Sequence, residues 1–156
     1  MTGNYTLMMV KPDAVRNGNA EAIFQEIKKH GFEIVAQKKL QLSRAEAEAF
    51  YVVHKERPFY GELVDFMISG PIFAAVLKKE NAVPEWRTLM GKTDPAEADE
   101  GTIRKMFATS KGENAVHGSD SNDNALNEIF FFFSSREIVA QSGIVQLNDI
   151  IGRQPE

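Results

Sequence analysis

Apolar positions change their period several times along the chain, and each change marks an element. Tyr5–Val10 is a short, mostly apolar run closed by Pro12, the pattern of a buried strand. Over residues 20–30, Ala20, Ile23, Phe24 and Ile27 fall at helical spacing, and Lys28, Lys29 and Gly31 are stop signals. Residues 32–42 alternate (Ile34, Ala36, then Leu40, Leu42) and read as a second strand. Ser43 and Glu46 stand at capping-box spacing, so a helix starts there and runs through the good helix formers of residues 45–53. Pro58 interrupts it, and Leu63, Phe66 and Met67 restart a helical pattern over residues 59–68. After a Gly70-Pro71 turn, residues 72–77 form a third apolar strand and residues 81–90 a short helix. Thr93, Pro95 and Gly101 mark residues 91–110 as turns around short helical pieces. Residues 114–117 read as a fourth strand, and Asp120 or Ser121 caps a last helix whose face is Ala125, Ile129, Phe132 and Phe133.

The predicted order is β-α-β-α-α-β-α-β-α. Two strand-helix-strand units of this kind make an α+β, ferredoxin-like βαββαβ fold, a four-stranded antiparallel sheet with helices on one face. Its 156 residues, without repeats or linkers, suit one domain that buries roughly 70% of the unfolded chain's surface. Residues 136–156 carry Ile138, Val139, Ile144, Val145, Leu147, Ile150 and Ile151, too many for a solvated tail. This segment is expected to pack on the same domain or on a neighbouring subunit.

Composition removes several function classes. The chain has 18 Lys plus Arg against 22 Asp plus Glu, a formal charge of −4, which argues against holding nucleic acid by neutralising phosphates. Without cysteine there are no disulfides, thiolate metal sites or thiol nucleophiles. The apolar run at residues 7–10 is too short for a secretory signal or a membrane span, so a soluble, cytoplasmic protein is expected.

Gly91-Lys92-Thr93 looks like the end of a phosphate-binding P-loop, but Trp86 stands where that motif needs its first glycine. His30, His54 and His117 have no i, i+4 pairing, so no protein-built metal site is expected. His30 ends a helix, and His54, in a charged stretch, reads as a solvated surface residue. His117 stands in Asn114-Ala-Val-His117-Gly118-Ser119-Asp120, between a short strand and a helix start, with Gly118 removing bulk beside the imidazole. One reading is a turn whose Ser and Asp cap a helix. The other is a histidine nucleophile that receives a phosphoryl group, since imidazole is nucleophilic near neutral pH. Lys11, Arg87, Thr93 and Arg104 supply the cations and hydroxyl that such a transfer needs. Phe59 after Pro58 is either core packing or a platform for a base.

These residues together resemble the nucleoside diphosphate kinases. Asn114-x-x-His117-Gly-Ser-Asp matches that family's active-site signature. Lys11-Pro12-Asp13, His54-x-x-Arg57-Pro58-Phe59, Ser69-Gly70-Pro71, Arg87-x-Leu-Met-Gly-x-Thr93 and Gly101-Thr-Ile-Arg104 resemble it in the family's order, from about Tyr5 to Phe133. The resemblance implies a kinase domain over residues 1–135 with residues 136–156 as a C-terminal extension. It implies that His117 takes the γ-phosphoryl of a nucleoside triphosphate, usually ATP, and passes it to a nucleoside diphosphate in a ping-pong cycle. Lys11, Arg87, Thr93 and Arg104 are then the phosphate clamp. Asn114 and Lys11 bind the sugar, and Phe59 stacks on the base. Tyr51 and Ser119 are supporting hydroxyls, and Glu128 is the carboxylate that orients the imidazole.

Mg2+ is implied as a companion of the nucleotide phosphates, with few or no direct protein ligands, and the assembly as a tetramer or hexamer of identical subunits. Three positions depart from the family's habit: Lys111 replaces an apolar residue, Met106 an often acidic one, and the tail after Ser135 is longer than in many bacterial members. A different class, a ferredoxin-like module that binds nucleotide or RNA without chemistry, is disfavoured by the acidic balance. The joint presence of His117, Lys11 and Arg104 argues against an idle interaction subunit.

Overall fold

A computed structural model describes residues 3–152. The chain forms β1 (Tyr5–Val10), α1 (Pro12–Arg16), α2 (Ala20–Lys29), β2 (Glu33–Leu40), α3 (Arg44–Phe50), α4 (Tyr60–Met67), β3 (Ile72–Lys78) and α5 (Ala82–Met90). It continues through α6 (Ile103–Phe107), β4 (Val116–Gly118), α7 (Asn122–Phe132), α8 (Ser135–Ser142) and α9 (Ile144–Ile151). The strands make one antiparallel sheet in the order β2-β3-β1-β4. This is the ferredoxin-like α+β arrangement that the pattern predicts.

Helices cover both faces of the sheet, where the pattern had suggested one. The cause lies in β1 and β3, which are central and apolar on both sides. Leu7, Met9, Ala74 and Val76 pack with residues of α3, α4 and α7, among them Ala47, Val64, Met67 and Ile129. Met8, Val10, Ala75 and Leu77 pack on the opposite side with Ile23 and Ile27 of α2 and Trp86 and Met90 of α5. Ser43 caps α3 through the expected capping box with Glu46.

Three local differences matter. The alternation of β2 is broken by a bulge between Ile34 and Ala36, so Ile34 packs with the α2/α5 side and Ala36 with the other. A short helix, α1, follows β1 directly, because Pro12 at its first turn is pre-set for helical φ. The fourth strand begins at Val116 rather than Asn114, because Ala115 turns left-handed at φ +73°.

In the tail, Ile138, Leu147 and Ile150 are buried in the α3/α4/α7 core, whereas Ile144 and Val145 are exposed. The Tyr5 hydroxyl meets Asp149 and Gln146 of α9, and Lys38 of β2 pairs with Glu137 of α8 at 2.7 Å. No described helix is long and apolar enough to cross a membrane.

Candidate active site

Strand register decides which way the signature points. Met9 of β1 pairs with His117, and Val10 with Val116. Successive side chains alternate faces, so His117 shares the α7 side with Met9, while Val116 and Gly118 face α5. On the α7 side, Glu128 lies three residues after buried Ala125 and four before buried Phe132, on the edge of that helix's apolar stripe. Its Oε1 lies 2.8 Å from Nε2 of His117. Ser119 Oγ donates to the same oxygen at 2.8 Å and accepts from the Leu7 N–H at 3.3 Å, which ties the carboxylate to β1.

A carboxylate oxygen that receives one donor already is the acceptor for the imidazole, so Nε2 carries the hydrogen and Nδ1 the lone pair. Nδ1 has no hydrogen-bond partner among the described residues. Burial holds the His117 pKa below the ordinary histidine value; Glu128 opposes this, and the nearby cations Lys11 and Arg104 add to it. The ring is therefore neutral at neutral pH, and its side chain keeps 16% exposure. Phe50 packs edge-on to it at 5.3 Å between centroids, and Tyr51 at 6.4 Å. The Tyr51 hydroxyl is buried without a hydrogen-bond partner among the described residues, and burial beside Glu128 raises its pKa.

Gly118 makes room, but not for the imidazole. A Cβ there would stand 2.5 Å from Trp86 Cδ1 and 2.7 Å from Met90 Cε. The indole instead donates its N–H to the His117 carbonyl at 3.1 Å.

The cations converge on the other flank. Lys11 follows β1 immediately, and its Nζ donates to Asn114 Oδ1 at 2.9 Å. Burial pushes its pKa down to about 8, with help from the Arg104 charge and against the pull of Asp13. Arg104 is buried and fans its guanidinium over three backbone carbonyls, those of Asn114 (3.3 Å), Gly91 (3.0 Å) and Val116 (2.9 Å). Burial, with the neighbouring Arg87, lowers its pKa to about 10, so it stays charged at neutral pH. Asn114 also reaches the Thr93 carbonyl, at 3.5 Å. Arg87, Thr93, Arg104 and Lys111 line an open cleft of about 770 Å³.

Phe59 stands apart from these bonds and is 47% exposed. Its ring lies 5.4 Å from that of His54, which in turn stacks on Tyr51 at 6.5 Å. His54 is therefore not the solvated residue its charged neighbours suggested: it is half-buried in an aromatic line running from Phe59 to His117.

The neutral imidazole with one nitrogen held and one open, flanked by buried cations, is equipped to take up a phosphoryl group. A family model described as nucleoside diphosphate kinase matches residues 4–138. The chain belongs to the nucleoside diphosphate kinase family. The enzyme of that name from Chlorobaculum tepidum is 59% identical over 134 residues, 86% of this chain and 96% of its own length. The one from Flavobacterium psychrophilum is 58% identical over 137 residues, 88% of this chain and 99% of its own.

Among solved structures, the Aquifex aeolicus nucleoside diphosphate kinase superimposes with a TM-score of 0.86 at 46% identity, covering 87% of this chain and 99% of that one. The Halobacterium salinarum enzyme, solved in complex with CDP, gives 0.83 at 36% identity over 86% of this chain and 90% of that one. The family match takes in every residue of the cluster and ends within α8, so α9 lies beyond it.

Reading the sequence assigned no task to Phe50, Trp86, His54 or Asp13. Asp13 and His54 carried a signal, their places in Lys11-Pro12-Asp13 and His54-x-x-Arg57-Pro58-Phe59. The others act through contacts that register and helix packing create.

Proposed function

We propose that this chain transfers the γ-phosphoryl group of a nucleoside triphosphate, usually ATP, to a nucleoside diphosphate, with His117 as the temporary carrier. Nδ1 of His117 attacks the γ-phosphorus; a P–N bond forms, the bond from phosphorus to the bridging oxygen breaks, and the nucleoside diphosphate leaves with that electron pair. A second diphosphate then attacks the phosphohistidine and reverses the step. The 2.8 Å contact between Nε2 and Glu128 carries this reading. It aims the lone pair of Nδ1 outward and stabilises the ring as it gains positive charge.

In this reading Lys11, Arg87, Thr93 and Arg104 hold the phosphates, Asn114 and Lys11 the sugar, and Phe59 the base. Ser119 steadies Glu128, and Tyr51 offers its hydroxyl beside the reacting group. A single aromatic face and contacts to phosphate and sugar carry no base identity, so purine and pyrimidine nucleotides are both accepted. Mg2+ would come bound to the nucleotide phosphates and would offset part of their charge, which Lys11, Arg87 and Arg104 face from the protein side. Among the described residues no three His, Asp or Glu side chains gather to hold an ion, and the groups nearest His117 include cations. The working unit is a tetramer or hexamer of identical subunits, and exposed Val52, Val53, Phe130 and Phe131 offer apolar surface for it. It works in the cytoplasm, on free nucleotides.

Labelled ATP should leave base-stable, acid-labile phosphate on the wild-type protein and none on His117→Ala, which should also transfer none to a diphosphate. Labelling that survives this substitution would place the nucleophile elsewhere.

A further inference from the structure

Ala115 has a left-handed φ of +73°, a conformation in which an alanine Cβ crowds the carbonyl that follows. It is fully buried and stands between two residues that hold the cations. Its neighbours present three groups to them: the Asn114 side chain to Lys11, and the carbonyls of Asn114 and Val116 to Arg104. Strain of this kind persists only where the surroundings over-determine it.

Here both backbone groups of Ala115 are gripped by one three-residue segment. The Lys11 N–H donates to the Ala115 carbonyl at 2.8 Å, and the Ala115 N–H donates to Asp13 Oδ2 at 3.1 Å. Asp13 is 2% exposed. No ion pair within 4 Å joins it to Lys11, whose ammonium turns to Asn114 instead. A buried carboxylate on a backbone N–H makes a charge-assisted bond, stronger than a neutral one.

We propose that Asp13 is a positioning residue for phosphoryl transfer: its carboxylate locks Ala115 in the left-handed turn that presents Asn114 to Lys11 and two carbonyls to Arg104. The inference rests on the phosphoryl-transfer reading above. Without the lock Ala115 relaxes toward a right-handed or extended conformation, Asn114 rotates away, and Lys11 and Arg104 lose their partners together.

The test compares kcat/KM for ATP in the wild type, Asp13→Ala, Asp13→Asn and the double variant Asp13→Ala with Ala115→Gly, each checked for folding by its melting temperature. Asp13→Ala should lose at least ten-fold. Asp13→Asn, whose amide oxygen still accepts from the Ala115 N–H, should stay within about three-fold of wild type. The double variant should recover at least three-fold over Asp13→Ala, because glycine takes a positive φ without crowding. A folded Asp13→Ala protein within two-fold of wild type overturns the proposal. So does an Asp13→Asn protein as impaired as Asp13→Ala, or a double variant no better than the single one.

If Asp13→Ala fails to fold, amide NMR of the wild type decides: the Ala115 proton should exchange slowly and shift as acid protonates Asp13. Free exchange with no response to acid overturns the lock. A wild-type protein that forms no phosphohistidine would instead remove the reading on which the inference rests, and the NMR result would stand apart from it.

Discussion

Burial lowers the pKa of both Lys11 and His117, and the proposed reaction uses the two effects in opposite senses. His117 attacks only when neutral, so a depressed pKa keeps it ready down to more acidic pH than a free histidine allows. Lys11 clamps phosphate only when protonated, and its ammonium is present below about pH 8 and lost above it. The profile of kcat/KM for ATP, which reports the free enzyme, should therefore fall on its alkaline side near pH 8. In Lys11→Arg that limb should move beyond the measured range, even if the overall rate drops; a limb that stays in place would assign it to another group. At this scale most of the residues that the fold gathers around His117 could be picked out directly, because the proposed chemistry restricts which side chain serves each task. His54 could not, since its charged neighbours in sequence say nothing about the Tyr51 and Phe59 rings on either side of it.

The element that delivers the histidine, β4, is three residues long and works through its pairing with β1. That pairing places His117 toward Glu128 and turns Gly118 toward Trp86, so the glycine is required by space rather than by φ. Gly118→Ala should cost about 1–3 kcal/mol, as overpacking of a close-packed core does, and chemical denaturation measures it. Its kcat should also fall, because a displaced β4 moves the imidazole away from Glu128. A variant as stable and as active as wild type would mean that Trp86 and Met90 yield without disturbing the strand. Strands β1 to β4 and helices α2 to α7 were legible from period and capping signals, whereas α1 and the tail helices α8 and α9 had no such reading. The bulge in β2 and the late start of β4 were not legible either. Both arise where the backbone departs from regular geometry to satisfy partners distant in sequence, Val76 and Leu77 across the sheet for the bulge and Lys11 and Asp13 for the turn.

Across the whole molecule, the sheet separates two cores, and the cluster around His117 sits where β1 ends and β4 begins between them. The tail contributes to one core at a distance from the cluster: Leu147 packs in the α3/α4/α7 core, and α9 meets β1 at Tyr5, the end opposite Lys11. Leu147→Ala should thus lower stability by about 2–3 kcal/mol in equilibrium unfolding, through lost burial and the cavity left behind, while KM for nucleotides stays unchanged. A raised KM with intact stability would instead tie the tail to the nucleotide cleft. Local order along the chain by itself determined most of the succession from β1 to α7 and picked out the residues that the fold gathers around His117, because periodicity, capping and side-chain chemistry act within a few residues. Only the tertiary structure decided that both faces of the sheet are covered, which nitrogen of His117 is open, and that Ala115 is gripped by Lys11 and Asp13. Those outcomes depend on strand register and on contacts between residues about a hundred positions apart, which no short-range pattern encodes.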